Sequence, residues 1–164
     1  MYMKRRGWFY RDIPFKTKCA VYRAIVLSTL LYGADAWTIY KADAHRLHVY
    51  YMRHLRSILN VRWGQHVSNR TILKRTGLPG MHEMLVQRNL RWAGHLNRLG
   101  DDRLPKQILY SQLREGSRGI GRPKLRYNDK IKRNLKDLNI PIGSWQDATR
   151  DRLNWRKMIR VVSS

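Results

Sequence analysis

The sequence predicts an all-α protein, a bundle of about six or seven helices that forms one body or two subdomains joined by a basic Gly/Pro loop. Apolar residues recur at three- and four-residue steps along most of the 164 residues. Clear two-residue alternation, which is typical of β-strands, is missing. Ser, Asp, Gly and Pro stand where such helices would begin and end. No period of roughly 20 to 50 residues indicates a repeat array.

The first helix is expected to begin at Pro14, after Asp12, and to end at Gly33. A carboxylate can accept hydrogen bonds from the free amides of a first turn, proline fits that turn, and glycine permits a left-handed stop. The predicted buried face consists of the residues at helical steps: Val21, Ala24, Ile25, Ser28 and Leu31.

Three more helices are predicted before residue 100. Asp43 can cap the second, a third begins at Ser68 and ends at Gly77, and a fourth extends from about Met81 to Leu99. The apolar side of the second helix is predicted to be Leu47, Tyr50, Tyr51, Leu55, Ile58 and Leu59. The core stripe of the fourth is predicted to be Met84, Leu85, Trp92, Leu96 and Leu99.

The remaining helices flank a basic loop. A short fifth helix is expected over Leu104–Leu113, another over Asn128–Leu138, and a last one after Ser144, which with Asp147 resembles a capping box. Ala148, Trp155 and Ile159 would then face inward. We therefore expect a basic N-terminal segment (1–12), a helical domain (13–113), a flexible loop (114–127) and a C-terminal helical pair (128–164).

Charge is the strongest indication of function. Thirty-four Lys and Arg against eleven Asp and Glu give a formal net charge of +23, and they are interleaved with six Trp and nine Tyr. A folded surface with this charge favours a polyanionic partner, and RNA or DNA is the expected one. Cys19 is the single cysteine, so we expect no intrachain disulfide, and the apolar stretch 24–34 is too short to cross a bilayer. No apolar signal-peptide region follows the basic residues 4–6, so we expect no secretion and an intracellular location in the nucleus or cytoplasm.

No catalytic pattern is recognisable. The adjacent pair Asp101-Asp102 follows Leu99-Gly100, where a solvated turn is the expected role, and Asp35 follows a helix where a polymerase aspartate would need a hairpin. His45, His48 and His54 share a helix, but no Cys or acidic ligand stands at a matching local spacing. We predict a binding protein that is not an enzyme and that has no metal and no cofactor, with Cys19 as a small buried apolar residue.

The segment between Ala44 and His82 contains no acidic residue, so the second and third helices are predicted to present a positive face. The alternative is a charged face that only contacts water, but the repulsion between its cations would then be relieved by no counter-charge. The expected contacts with a phosphate backbone are these cations: Arg53, Arg56, Arg62, Lys74, Arg75, Arg88 and Arg91.

The basic loop supplies a second set of candidates. Its segment 119–124 is similar to the core of an AT-hook, in which Gly-Arg-Pro enters a narrow minor groove, except that Ile120 stands where a basic residue is expected. We therefore expect general phosphate binding here, with Arg122, Lys124 and Arg126 acting as a mobile clamp.

Several short segments occur in one order along the chain: 11–18, 26–33, Trp37, 52–59, 76–77, 88–95, 102–105, 121–124, Trp145, 151–152 and Trp155. Together they resemble the C-terminal part of non-LTR (LINE-type) retrotransposon endonuclease-reverse transcriptases. The resemblance covers nearly the whole chain, and it departs from the family at Ala36, where an acidic residue is usual, and in the basic run before Gly121.

This resemblance implies the thumb and the region after the polymerase core, with the palm and its metal-binding aspartates upstream. It implies a fragment of an RNA-directed DNA polymerase that holds the template-primer backbone, cannot polymerise DNA by itself, and has an intact reverse transcriptase as a further partner.

Two other functions remain open. The chain would be an inert retroelement remnant or a protein-interaction module if a former docking surface with Tyr32, Trp37 or Tyr40 is exposed. It would be a sequence-specific DNA-binding protein if helix 68–76 belonged to a helix-turn-helix, but no set of recognition residues is evident.

Overall fold

The structure is a computed structural model that describes residues 13–110 and 126–160, apart from the side chain of Trp63. These ranges contain eight helices and no strand, which confirms the all-α prediction. The first helix, α1, has three continuous parts, Phe15–Val21, the π-helical Tyr22–Leu27 and Ser28–Leu30. The others are α2 (Lys41–Ile58), α3 (Asn69–Thr76), α4 (Met81–Arg98), α5 (Leu104–Tyr110), α6 (Tyr127–Asp137), α7 (Trp145–Ala148) and α8 (Arg152–Met158).

The π-helical part of α1 changes which residues are buried. Tyr22 and Leu27, five residues apart, are both in the core, whereas Val21 and Ile25 are 39% and 58% exposed. A π-helix bonds five residues back, so positions i and i+5 share a face there. The predicted face through Val21 and Ile25 is therefore wrong, although its last member, Leu31, is buried.

The caps predicted for α3 are confirmed, and the one predicted for α2 is not. Ser68 accepts a hydrogen bond from the Thr71 amide, and Gly77 closes α3 with a φ of +65°. The α2 helix begins one turn earlier than predicted, so Asp43 lies inside its first turn, where the carboxylate is 3.3 Å from Arg46.

The C-terminal part contains two short helices where one was predicted. Ser144 makes no capping bond with its side chain, so the predicted capping box is wrong. Instead, Asp151 Oδ1 accepts hydrogen bonds from the amides of Leu153 and Asn154 and starts α8. Asp151 thus caps the start of α8, three residues after α7 ends. Trp155 of α8 is buried, as predicted.

Two apolar clusters form the core, and both include α4. The first joins α1, α2 and α3 to the start of α4 and contains Tyr51, Leu55 and Met81. The second joins α5, α6, α7 and α8 to the rest of α4, beginning at Val86. The buried stripe of α4 is consequently broader than predicted.

The domain boundaries expected from the sequence stay a prediction. Within the described ranges, the helices lack the length and apolar character that crossing a bilayer requires.

Gly94 allows α8 to lie directly against the backbone of α4. The indole Nε1–H of Trp155 donates to the Leu90 carbonyl at 3.0 Å, and a Cβ atom at position 94 would overlap that indole ring. The most deeply buried tryptophan of the second cluster thus packs against the smallest residue of α4.

A buried polar network joins the two clusters. The Asn89 side chain of α4 donates to the Asp35 carbonyl at 3.2 Å, and the Tyr127 hydroxyl of α6 donates to the same carbonyl at 2.9 Å. The fully buried Asn134 donates to Asn89 Oδ1 at 2.7 Å. Since these bonds reach from the turn after α1 to α6, they fix the positions of these two elements relative to α4.

We predict that Gly94→Ala destabilises the protein by about 2 kcal/mol, because the added methyl group displaces Trp155 from its contact with α4. Urea unfolding measures the change. Gly143→Ala is the control: a Cβ atom there meets nothing within 4 Å, so we expect a change within about 0.5 kcal/mol. Equal effects of the two substitutions would contradict this packing.

The polar network predicts that substitutions at Asn89 and Tyr127 lower the free energy of unfolding in a coupled way. Tyr127→Phe should cost about 1 kcal/mol and Asn89→Ala about 3 kcal/mol, since the second leaves Asn134 and the Asp35 carbonyl short of partners. In the double variant the Asp35 carbonyl loses both donors, so the combined loss should exceed the sum by about 0.5 to 1 kcal/mol. A double-mutant cycle in urea measures this coupling, and strict additivity would contradict the shared carbonyl.

Candidate nucleic-acid interface

Exposed cations lie on α2, on α3 and on the segment between these two packed helices. Arg70, Lys74 and Arg75 are exposed on α3, whose Ile72 is buried, and Arg53 is exposed on α2. Arg62 is exposed in the segment between the two helices. Within residues 13–110 and 126–160, none of these five cations has an ion pair with a carboxylate. We call this set the α2/α3 surface.

Arg56, which the sequence placed in the same set, holds the two helices together instead. Its guanidinium donates to Asn69 Oδ1 and to the Val67 carbonyl, both at 2.8 Å, and its side chain is half-buried. Because these bonds connect α2 to the start of α3, Arg56 positions the α2/α3 surface.

The two predicted contacts on α4 differ from each other. Arg88 is half-buried and lies 3.7 Å from the Asp35 carboxylate, so part of its charge is neutralised. Arg91 is exposed, and no carboxylate of the described residues pairs with it. Arg91 is consequently the better placed of the two for an external phosphate.

Most of the predicted clamp lies outside the described residues, which include neither Arg122 nor Lys124. Arg126 precedes α6 and is half-buried, and its backbone amide donates to Asp129 Oδ2 at 3.3 Å. The clamp therefore stays a prediction.

The carboxylates that could suggest catalysis have structural roles. Asp101 and Asp102 lie in an exposed turn after α4, where Lys106 Nζ is 2.8 Å from Asp101. The hydrogen bond from Lys106 lowers the pKa of Asp101, which fits a solvated ion pair. No group of three His, Cys, Asp or Glu side chains in the described part of the chain could hold a metal ion. Cys19 is buried, as predicted, and burial raises the pKa of its thiol.

The histidines of α2 are part of its packing. Arg56 occupies Asn69 Oδ1, so the Asn69 amide group is left to donate to His48 Nε2 at 3.3 Å, which requires a neutral His48. Burial, followed by the charges of His45 and Arg56, lowers the pKa of His48 below its usual 6.5. In the folded protein His48 is therefore neutral where it contacts Asn69 at the start of α3.

Sequence reasoning missed a basic group at the far end of α4. Arg98 donates to the Thr149 carbonyl at 2.8 Å, and the exposed Arg152 and Arg156 lie on the adjacent α8. Their distance along the sequence hides this proximity. One indication of a basic group was available in the sequence: the spacing of Arg88, Arg91 and Arg98 places all three on one side of α4.

Comparison with known proteins gives one informative similarity. The chain is 25% identical over 154 residues to a putative uncharacterized transposon-derived protein of Caenorhabditis elegans. The match covers 88% of this chain and 54% of that protein, so the chain spans about half the length of the relative it matches. No protein-family model matches the chain, and no solved structure matches it.

We predict that the free energy of unfolding falls as pH decreases below about 6.5. The unfolded chain binds a proton at His48 more readily than the folded chain, and a protonated His48 would place two donors against each other at Asn69. His48→Gln keeps an acceptor for Asn69, so it should reduce this pH dependence while leaving stability near pH 8 similar. Urea unfolding from pH 8 to 5 measures the slope, and an unchanged slope in the variant would contradict the assignment.

Proposed function

We propose that this chain is a transposon-derived module that binds RNA or DNA by the sugar-phosphate backbone. It corresponds to the thumb and post-polymerase region of a non-LTR retrotransposon reverse transcriptase, and it holds template-primer without catalysing polymerisation. This role would place it in the nucleus or cytoplasm, where an intact reverse transcriptase is a further candidate partner.

The observation that carries the proposal is the α2/α3 surface. The acid-free segment from Ala44 to His82 contributes to two packed helices, and the five cations of this surface have no carboxylate partner in the described ranges, whereas Arg46 pairs with Asp43. Unpaired like charges on one surface repel each other, and a polyanion relieves that repulsion while releasing its own counterions. Backbone phosphates supply this chemistry at regular spacing.

Rigid placement of the cations supports backbone binding over a diffuse basic tail. Arg56 and Asn69 fix α3 against α2, and the buried Ile72 orients the exposed arc that carries Lys74 and Arg75. Since the described helix α3 carries no aromatic ring on which a base could stack, we propose binding with little sequence preference.

A non-catalytic role is supported by how the aspartates are used. Asp35 supplies its carbonyl to Asn89 and Tyr127 and its carboxylate to Arg88, while Asp101 pairs with Lys106. The similarity to a transposon-derived protein supports the retroelement origin, and the resemblance in segments such as 88–95 supports the reverse-transcriptase region.

The alternative, a retroelement remnant or protein-interaction module, is favoured by exposed apolar residues near α1. Tyr32 is 86% exposed, and Ile25, Trp37 and Tyr40 are also exposed. Oligomerisation or capture of a partner protein without any affinity for nucleic acid would favour this second function.

A salt titration of oligonucleotide affinity tests the proposal. We expect the logarithm of the binding constant to fall linearly with the logarithm of salt concentration for the unmodified chain. The triple variant R53Q/K74Q/R75Q should bind about tenfold or more weakly, with a slope shallower by about 2, because three phosphate contacts at roughly 0.7 each are lost. The loss should be similar for oligonucleotides of different sequence.

The matched control is K132Q/R133Q/K136Q, which removes the same charge from the exposed face of α6. It should lower affinity much less. A salt slope near zero for the unmodified chain, or equal losses in the two triple variants, would contradict binding through the α2/α3 surface.

A further inference from the structure

Three arginines meet where the end of α4 approaches α8. Arg98 is in the last turn of α4, and its Nη1 donates to the Thr149 carbonyl at 2.8 Å. Arg152 and Arg156 are exposed and four residues apart, so they share one face of α8. We call Arg98, Arg152 and Arg156 the arginine cluster.

The fold fixes these positions through contacts that do not involve the arginines of α8. Trp155 anchors α8 by its hydrogen bond to the Leu90 carbonyl and by its approach to Gly94. Gly94 and Arg98 are four residues apart, so Arg98 lies on the side of α4 that faces α8. The Asp151 cap sets the direction in which α8 leaves the turn.

The positive charge of the cluster has little compensation. Among the residues that the structure describes, no carboxylate forms an ion pair with any of its three members, and the nearby Asp147 pairs with Arg150 at 3.4 Å. Asp151 Oδ1 is committed to two backbone amides of α8. Burial, followed by the charges of Arg152 and Arg156, lowers the pKa of Arg98, which fits three cations close together.

We propose that Arg98, Arg152 and Arg156 bind a phosphate of the nucleic-acid backbone and form a second contact region, distinct from the α2/α3 surface. This inference rests on the proposed function, since it names a further part of the same interface. Guanidinium groups suit the task because each presents a fork of N–H donors that matches two phosphate oxygens.

A strand that contacts both regions must span at least the length of α4. Helices α2 and α3 join the Met81 end of α4 in the first cluster, and the arginine cluster lies at the Arg98 end. The 18 residues of α4 extend roughly 27 Å, which equals about eight nucleotides along a B-form strand. The exposed Arg91 lies between the two regions on α4.

Three double variants test the cluster on an oligonucleotide of about twenty nucleotides. R152Q/R156Q should lower affinity about tenfold, and R152K/R156K about threefold, because lysine keeps the charge but lacks the fork. The control K132Q/R133Q removes the same charge from α6 and should lower affinity less than twofold. Arg98 is left unchanged because its bond to Thr149 contributes to the fold, and circular dichroism checks that each variant folds.

A second measurement tests phosphate binding by the arginine cluster directly, without an oligonucleotide. Inorganic pyrophosphate, titrated at constant ionic strength, should shift the NMR signals of the Nε–H groups of Arg152 and Arg156 in a saturable way. Saturable shifts with the expected affinity losses support the inference. The inference is overturned if R152Q/R156Q loses no more affinity than K132Q/R133Q, or if R152K/R156K keeps full affinity. Either result leaves binding through the α2/α3 surface intact. If the unmodified chain binds no oligonucleotide, the proposed function fails, and the inference fails with it.

Discussion

Helix α4 is the constraint on which the rest of the structure depends, because both apolar clusters are built on it. Met81 and Leu85 belong to the first cluster, and Val86 and Leu90 begin the second. At the boundary, Asn89 connects the turn after α1 to α6 through buried hydrogen bonds. A buried amide that is short of partners costs free energy, so this network favours one arrangement of the helices over others that would bury a similar apolar area.

Apolar packing around this shared helix holds together a chain with a net charge of +23. Two of the few acidic groups act close to it: Asp35 pairs with Arg88, and Asp151 caps α8. Most of the other cations that the structure describes are exposed, where water screens them and where a polyanion can reach them. The core thus determines where the unpaired positive charge is presented, and the proposed binding function follows from that position.

Much of this architecture could be predicted from the sequence, because local rules determine it. Ser68 and Gly77 identified the ends of α3, and the predicted start of the fourth helix at Met81 is confirmed. The π-helical turn of α1 could not be predicted, since a three- and four-residue period assumes ordinary α-helix. The roles of Arg56 and Arg98 depend on carbonyl groups brought close only by folding, so a count of charges could not distinguish them from freely exposed cations.

Native-state hydrogen exchange along α4 tests most directly whether this helix joins the two clusters into one cooperative unit. The account predicts that buried amides on both sides of the boundary between Leu85 and Val86, such as those of Leu85 and Leu90, exchange only through global unfolding and share one opening free energy. Opening of the half after Val86 at a clearly lower free energy, independently of the first half, would contradict the account.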